Sequence, residues 1–315
     1  MNKYFLGPFF VFFLMVIAPA LYPSPASCKD REVEDVRAAA FAGKFYPDSP
    51  DRLKAAITAF LNNVPEIRPE GRILAAIAPH AGYVYSGGVA ACTHKLIFDI
   101  PFDTLVIIGH DTYRDAVAFT SPADYFETPL GRVKVDREMT KKMEEFDPGI
   151  RPDQSLHATE HTIEVQLPFV QVQGRQFKVV PILFGNPTEK NSRILADAIL
   201  AGRADKKVFV LASTDMSHYP PYDGAVKVDN STLAVLKDLD AGRLFSHLAR
   251  QDGLSSVPNL ATAMCAKGGV MTAILYARAN GGDHCQILCY ANSGDVPEGG
   301  RDRVVGYCSV LFEKK

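Results

Sequence analysis

Three histidines and a cysteine stand in neighbourhoods that could do chemistry. His80 lies in Pro79-His80-Ala81-Gly82, where proline stiffens the backbone and small residues leave room for a ligand. His110 follows Gly109 and precedes Asp111, and His218 stands three residues after Asp215. That last spacing lets a carboxylate orient an imidazole as a general base or a metal ligand. Ser213, Thr214 and Asp215 are equally good N-caps for a following turn, and His80 could be a turn histidine bonded to a carbonyl. Cys265, in Met264-Cys265-Ala266-Lys267-Gly268, opens an apparent helix. The partial positive charge of a helix start would lower its thiol pKa, and the alternative is a small buried hydrophobe. Imidazole suits iron, copper and zinc, and thiolate shifts the preference toward softer metals.

A second pattern, His157-Ala158-Thr159-Glu160-His161, spells the inverted zinc-peptidase signature H-x-x-E-H. Against it, Thr159 looks like the cap of an amphipathic helix that continues through Glu164 and Gln166, which leaves His157 outside that helix. Glu160 and His161 would then reach a pocket from the helix start.

Strands are expected at 73–78, 104–109, 178–184, 207–213, 286–291 and 304–312, with helices near 51–63, 87–97, 137–146, 160–172, 189–202, 229–239 and 261–279. Apolar strands without strict alternation, separated by helices, predict an α/β fold with a mainly parallel central sheet covered on both faces. His80, His110 and Asp215–His218 follow the carboxyl ends of three of these strands, where such sheets bind ligands.

Composition is that of a globular chain: 47% hydrophobic, 22% charged, with a net charge of -2 and no basic run to form a nucleic-acid groove. The first 28 residues read as a secretory signal: Lys3, an apolar stretch from Tyr4 to Leu21, then small residues up to Cys28. An uncleaved membrane anchor is the alternative. Export to the periplasm or the extracellular space follows, with Cys28 as a possible lipid anchor and no other membrane contact, and one domain spans 36–315. Cys285 and Cys289 lie on one strand, roughly 13 Å apart when extended, so they cannot bridge each other. Both read as buried apolar cysteines.

In order along the chain stand Ala42-Gly43-Lys44-Phe45-Tyr46-Pro47, Ala78-Pro79-His80-Ala81-Gly82-Tyr83-Val84-Tyr85-Ser86-Gly87, Thr128-Pro129-Leu130-Gly131, Glu160-His161-Thr162-Ile163-Glu164-Val165-Gln166-Leu167-Pro168-Phe169, Ser213-Thr214-Asp215-Met216-Ser217-His218-Tyr219 and Val304-Val305-Gly306-Tyr307. This series resembles the Memo family, also called AmmeMemoRadiSam system protein B, from about Arg37 to the end. The resemblance implies a fold similar to class III extradiol dioxygenases and a pocket binding iron or copper. His80 matches the first ligand, Cys265 the cysteine, His218 a further pocket histidine, and Phe45 and Tyr85 aromatic walls. The family's Gly-Pro-x-His is Gly109-His110-Asp111-Thr112 here, so Thr112 takes the expected ligand place, and His110, two residues early, would serve as the metal ligand from a rearranged loop, with Asp111 as an oxygen alternative. Cys-Gly has become Cys265-Ala266, and Ser-Ser-Asp has become Ser213-Thr214-Asp215. Two functions are consistent with this. One is a metal-dependent oxidoreductase or dioxygenase acting on a small aromatic or heterocyclic substrate, with His218 and Asp215 catalytic. The other is a protein that binds a peptide or partner without catalysis, as the signalling associations of human Memo-type proteins imply.

Overall fold

The computed structural model describes residues 1, 3, 4, 34–254 and 256–315, and residues 34–315 form one compact unit. The proposed leader and Cys28 lie almost wholly outside the described residues. No helix among the described residues is long and apolar enough to cross a membrane.

The strands are β1 (Val36–Arg37), β2 (Arg72–Ala78), β3 (Thr104–Asp111), β4 (Ala118–Thr120), β5 (Tyr125–Thr128), β6 (Gly131–Val135), β7 (Ile150–Pro152), β8 (Lys178–Phe184), β9 (Val208–Ser213), β10 (His284–Asn292) and β11 (Gly306–Lys314). The helices are α1 (Pro50–Asn63), α2 (Tyr83–Ile97), α3 (Arg137–Phe146), α4 (Gln154–Ala158), α5 (Leu167–Gln171), α6 (Glu189–Gly202), α7 (Tyr222–Leu236), α8 (Ala241–Leu254) and α9 (Lys267–Ala279).

The strands form one mixed sheet in the order β1-β5-β6-β8-β3-β9-β2-β11-β10, with β4 and β7 attached beside β8. The run β6-β8-β3-β9-β2 is parallel, as expected, whereas β11 and β10 continue it antiparallel. Alternation on β3 shows why its sequence is apolar throughout. Val106 and Ile108 pack into the core on one face with α6, α8 and α9, while Leu105 and Ile107 pack into the opposite core with residues of α2 and α5.

The sequence does not anticipate α4 or α8, α7 starts well before 229, and two further departures bear on the site. The segment 160–172 is not one helix: Thr159 closes α4, a turn follows, and a 3-10 turn at Glu164–Gln166 leads into α5. Glu164 and Gln166, read as the polar face of an amphipathic helix, are fully buried. The last helix begins at Lys267, not near 261, because Ala261, Thr262 and Cys265 are tied by backbone hydrogen bonds to His218 and Asp215.

Cys289 is not a buried free thiol but is disulfide-bonded to Cys92 of α2. A register irregularity between Ile287 and Cys289 turns the strand over, so Cys285 faces one core and Cys289 the other, where α2 lies. Cys265, Cys285 and Cys308 are free and buried.

Candidate functional site

The strand order explains how distant segments meet. In the sheet β9 lies between β3 and β2, so the residues leaving the carboxyl ends of these three strands are neighbours. His80 follows β2, His110 is the last residue but one of β3, and Asp215 and His218 follow β9. The backbone of His218 is held from both sides: its N–H donates to the Thr262 carbonyl at 2.9 Å, and it bridges to Val305 on the other side. Met216 and Tyr219 are tied to Gly306 and Val304 in the same way. Gly109 lets the 161–163 turn press on the end of β3, since a Cβ there would lie 2.1 Å from Thr162 Oγ1.

A cavity of about 450 Å³ opens at these strand ends. Its lining includes His80, His110, His161, His218, Asp215 and Cys265, with Phe45, Tyr85 and Tyr307 as aromatic walls. Of the residues singled out in the sequence, Glu160 supports the lining from behind and is not part of it. The sequence reading missed Tyr307 as a wall and the 293–305 loop, which contributes Ser293, Glu298 and Arg303.

The tautomer of His80 follows from its hydrogen-bond neighbours. Gln166 Nε2 donates to the Pro79 carbonyl at 2.9 Å and to Ser213 Oγ at 2.8 Å. A carbonyl can only accept, which fixes the amide orientation and turns Gln166 Oε1 toward His94 Nε2 at 2.8 Å. Ser213 gives its one proton to the Thr162 carbonyl at 2.6 Å. His80 Nδ1, 3.3 Å from the same oxygen, must therefore bring its own proton. The lone pair of His80 is thus on Nε2, and that atom lies 3.2 Å from Cys265 Sγ.

The thiol is not activated as its position beside a helix suggested. Burial, then the Asp215 carboxylate, pushes Cys265 well above the ordinary thiol range, outweighing the Asp215 backbone N–H that points at the sulfur from 3.3 Å. Without a cation the thiol keeps its proton and faces the His80 lone pair. Asp215 is pushed up to about 6 by burial, and its Oδ1 accepts the His80 backbone N–H at 2.8 Å. It therefore shapes the His80 turn and makes no hydrogen bond to His218, contrary to the expected pair. His218 Nε2 is buried without a partner, and burial lowers its pKa.

The oriented imidazole is His161 instead. Glu160 Oε1 lies 3.2 Å from His161 Nδ1 and also accepts the backbone N–H groups of His161 and Thr162 at 2.7 and 2.8 Å. Phe45 packs on the His161 ring at 4.5 Å between centroids. Burial lowers the His161 pKa against the pull of Glu160, so the ring is neutral near neutral pH.

Several other sequence candidates turn away. Asp111 is buried and accepts the Gly268 N–H at the start of α9, with Oδ1 at 3.1 Å, so it caps a helix and is no oxygen ligand. Burial pushes its carboxyl up to about 8. Thr112 accepts the Arg114 N–H at 3.4 Å in the next turn and is not in the lining. His157 donates from Nε2 to the Phe119 carbonyl at 3.1 Å, and α4 ends at Ala158, so His157 and His161 do not share a helix face as the peptidase pattern requires.

Glu164 and Arg37 were not recognised from the sequence as determinants of the site. The Glu164 carboxylate is fully buried and accepts from the Arg37 guanidinium, the Tyr46 hydroxyl and the backbone N–H groups of Ala40 and Phe41. It clamps the segment that delivers Phe45.

As donors for a metal, the cavity offers the His80 lone pair, the Cys265 sulfur and the unpartnered His218 Nε2, a set suited to a soft cation. The fit stops at two donors in contact. Among the described residues no group of three or more His, Cys, Asp or Glu side chains is arranged to hold a metal ion.

Residues 37–311 match the model of a family described as Memo-like protein. A MEMO1 family protein of Archaeoglobus fulgidus is 34% identical over 275 residues, covering 86% of this chain and 97% of that one. One from Saccharolobus islandicus is 35% identical over 291 residues, covering 88% and 99%. Among solved structures, the uncharacterized protein JW3007 from Escherichia coli K12 aligns with a TM-score of 0.50 at 13% identity, over 76% of this chain and 100% of that one, which is a likeness of fold alone. With the family match covering every residue of the cavity lining, the chain belongs to the Memo-like family.

Proposed function

We propose that the cavity binds a small planar organic ligand beside one iron or copper ion held by His80 Nε2 and Cys265 Sγ, with His218 the nearest further donor by chemistry. The observation that carries this reading is the contact between the His80 lone pair and the thiol, 3.2 Å apart, with the tautomer set by Ser213. A bound cation would replace the thiol proton and make a thiolate of a group that burial otherwise keeps neutral. Such an ion supplies Lewis-acid or one-electron chemistry. Phe45 and Tyr85 would stack the ligand, and neutral His161, oriented by Glu160, would accept a proton from it. An oxidoreductase or dioxygenase acting on an aromatic or heterocyclic molecule fits these parts.

A second reading, binding of a small molecule or peptide without catalysis, is favoured by the absence of a three-donor group among the described residues. A thermal-shift comparison of metals, catechols and peptides separates them. Stabilisation by iron or copper, lost in His80→Ala, supports the first, and stabilisation by a peptide alone supports the second. Export is part of the proposal, and the Cys92–Cys289 bridge supports an oxidising compartment.

A further inference from the structure

Arg303, in the cavity lining, makes no ion pair among the described residues. Arg303 is exposed, lines the cavity, and stacks on Tyr219, with its guanidinium carbon 4.7 Å from the ring centroid. It forms no hydrogen bond or ion pair among the described residues, whereas Arg37, Arg132, Arg193 and Arg243 all pair with carboxylates. Glu298 also lies at the rim without pairing to it, and Asp215 sits on the cavity floor.

The backbone is built to hold that stack. Tyr219 adopts a φ of 71°, a left-handed conformation uncommon for an aromatic residue. Its N–H donates to the Val304 carbonyl at 2.7 Å and Val304 N–H returns to the Pro220 carbonyl at 2.9 Å, which ties the Tyr219 turn to the loop segment carrying Arg303. A guanidinium stacked on a ring keeps its edge donors free, in the fork geometry that matches a carboxylate. Two residues earlier, Arg301 stacks on Tyr222 at 4.0 Å, outside the cavity lining.

We propose that Arg303, held against Tyr219, makes the cavity selective for an aromatic ligand bearing a carboxylate. This rests on the reading of the cavity as a small-molecule site, and does not depend on the metal. Benzoate and benzamide test it, because they share size and ring and differ in charge. Calorimetric titration of the full chain is expected to give benzoate an affinity roughly 10-fold or more above benzamide, the worth of a charge-assisted hydrogen-bond pair. Arg303→Gln is expected to collapse that ratio toward one, and Tyr219→Leu to reduce it, with both variants retaining the wild-type melting transition. A ratio near one in the wild type, or a ratio that survives Arg303→Gln, overturns the assignment of Arg303 alone. Binding of neither probe overturns the small-molecule reading of the cavity and the proposal with it.

Discussion

His80 Nε2 faces Cys265 Sγ across 3.2 Å, although the two residues are 185 positions apart. The proton inventory around Ser213 leaves this nitrogen as a bare acceptor, and the buried thiol as the nearest donor. If that inventory sets the site, Ser213→Ala removes the acceptor that fixes the tautomer. The expected outcome is a fall in copper or iron affinity of roughly 10- to 100-fold with little loss of fold. Competition against a chromophoric chelator reads it, and unchanged affinity would remove Ser213 from the account.

The Cys92–Cys289 bridge closes a separation of 197 residues and ties α2 to β10. Cys92→Ser or Cys289→Ser should each cost roughly 2–5 kcal/mol of stability. Urea unfolding with and without reductant checks this. The wild type under reductant should match the variants, and variants indistinguishable from oxidised wild type would mean that the bridge does not form.

The sequence made the parallel core legible because its strands are apolar on both faces and end in turn-forming residues. The histidines at strand ends were visible for the same reason. What it hid was set by register and burial. No local signal marks the change of face on β10 that sends Cys289 to Cys92 and leaves Cys285 behind. Glu164 and Gln166 fit a solvated helix face by period, yet their polar atoms are satisfied by partners far away in sequence, at Arg37 and Tyr46 for one and at His94, Pro79 and Ser213 for the other. The carboxylate–imidazole pair expected at Asp215 and His218 lies at Glu160 and His161, because Asp215 is spent on the His80 backbone.

Glu164 offers a direct test of the segment that carries Phe45. Glu164→Gln leaves the buried Arg37 guanidinium without its countercharge and should destabilise the fold by roughly 3–5 kcal/mol. Adding Arg37→Met should recover part of that loss. A double-mutant cycle by urea unfolding measures the coupling, and strict additivity would contradict the clamp.

His157 gives a pH dependence with a definite sign. Burial pushes it down to about 4, resisted in part by its hydrogen bond to the Phe119 carbonyl. The unfolded chain therefore binds more protons between about pH 6.5 and 4, so this residue's contribution is complete above that window and is lost as pH falls through it. The loss is of the order of 3 kcal/mol. Asp229, pushed up to about 6 by burial, acts in the opposite sense, so wild-type stability alone does not isolate the effect. His157→Gln should flatten the wild-type stability curve between pH 6.5 and 4. Parallel curves in that window would contradict the assignment.

The proposed soft-metal site at His80 and Cys265 is checked by anaerobic titration of chelator-treated, tag-free protein with copper(I) and iron(II), followed by elemental analysis after desalting. The wild type should retain one equivalent of one of these metals, and both His80→Ala and Cys265→Ala should lose it. A wild type that retains neither metal, or variants that retain it undiminished, would contradict that site.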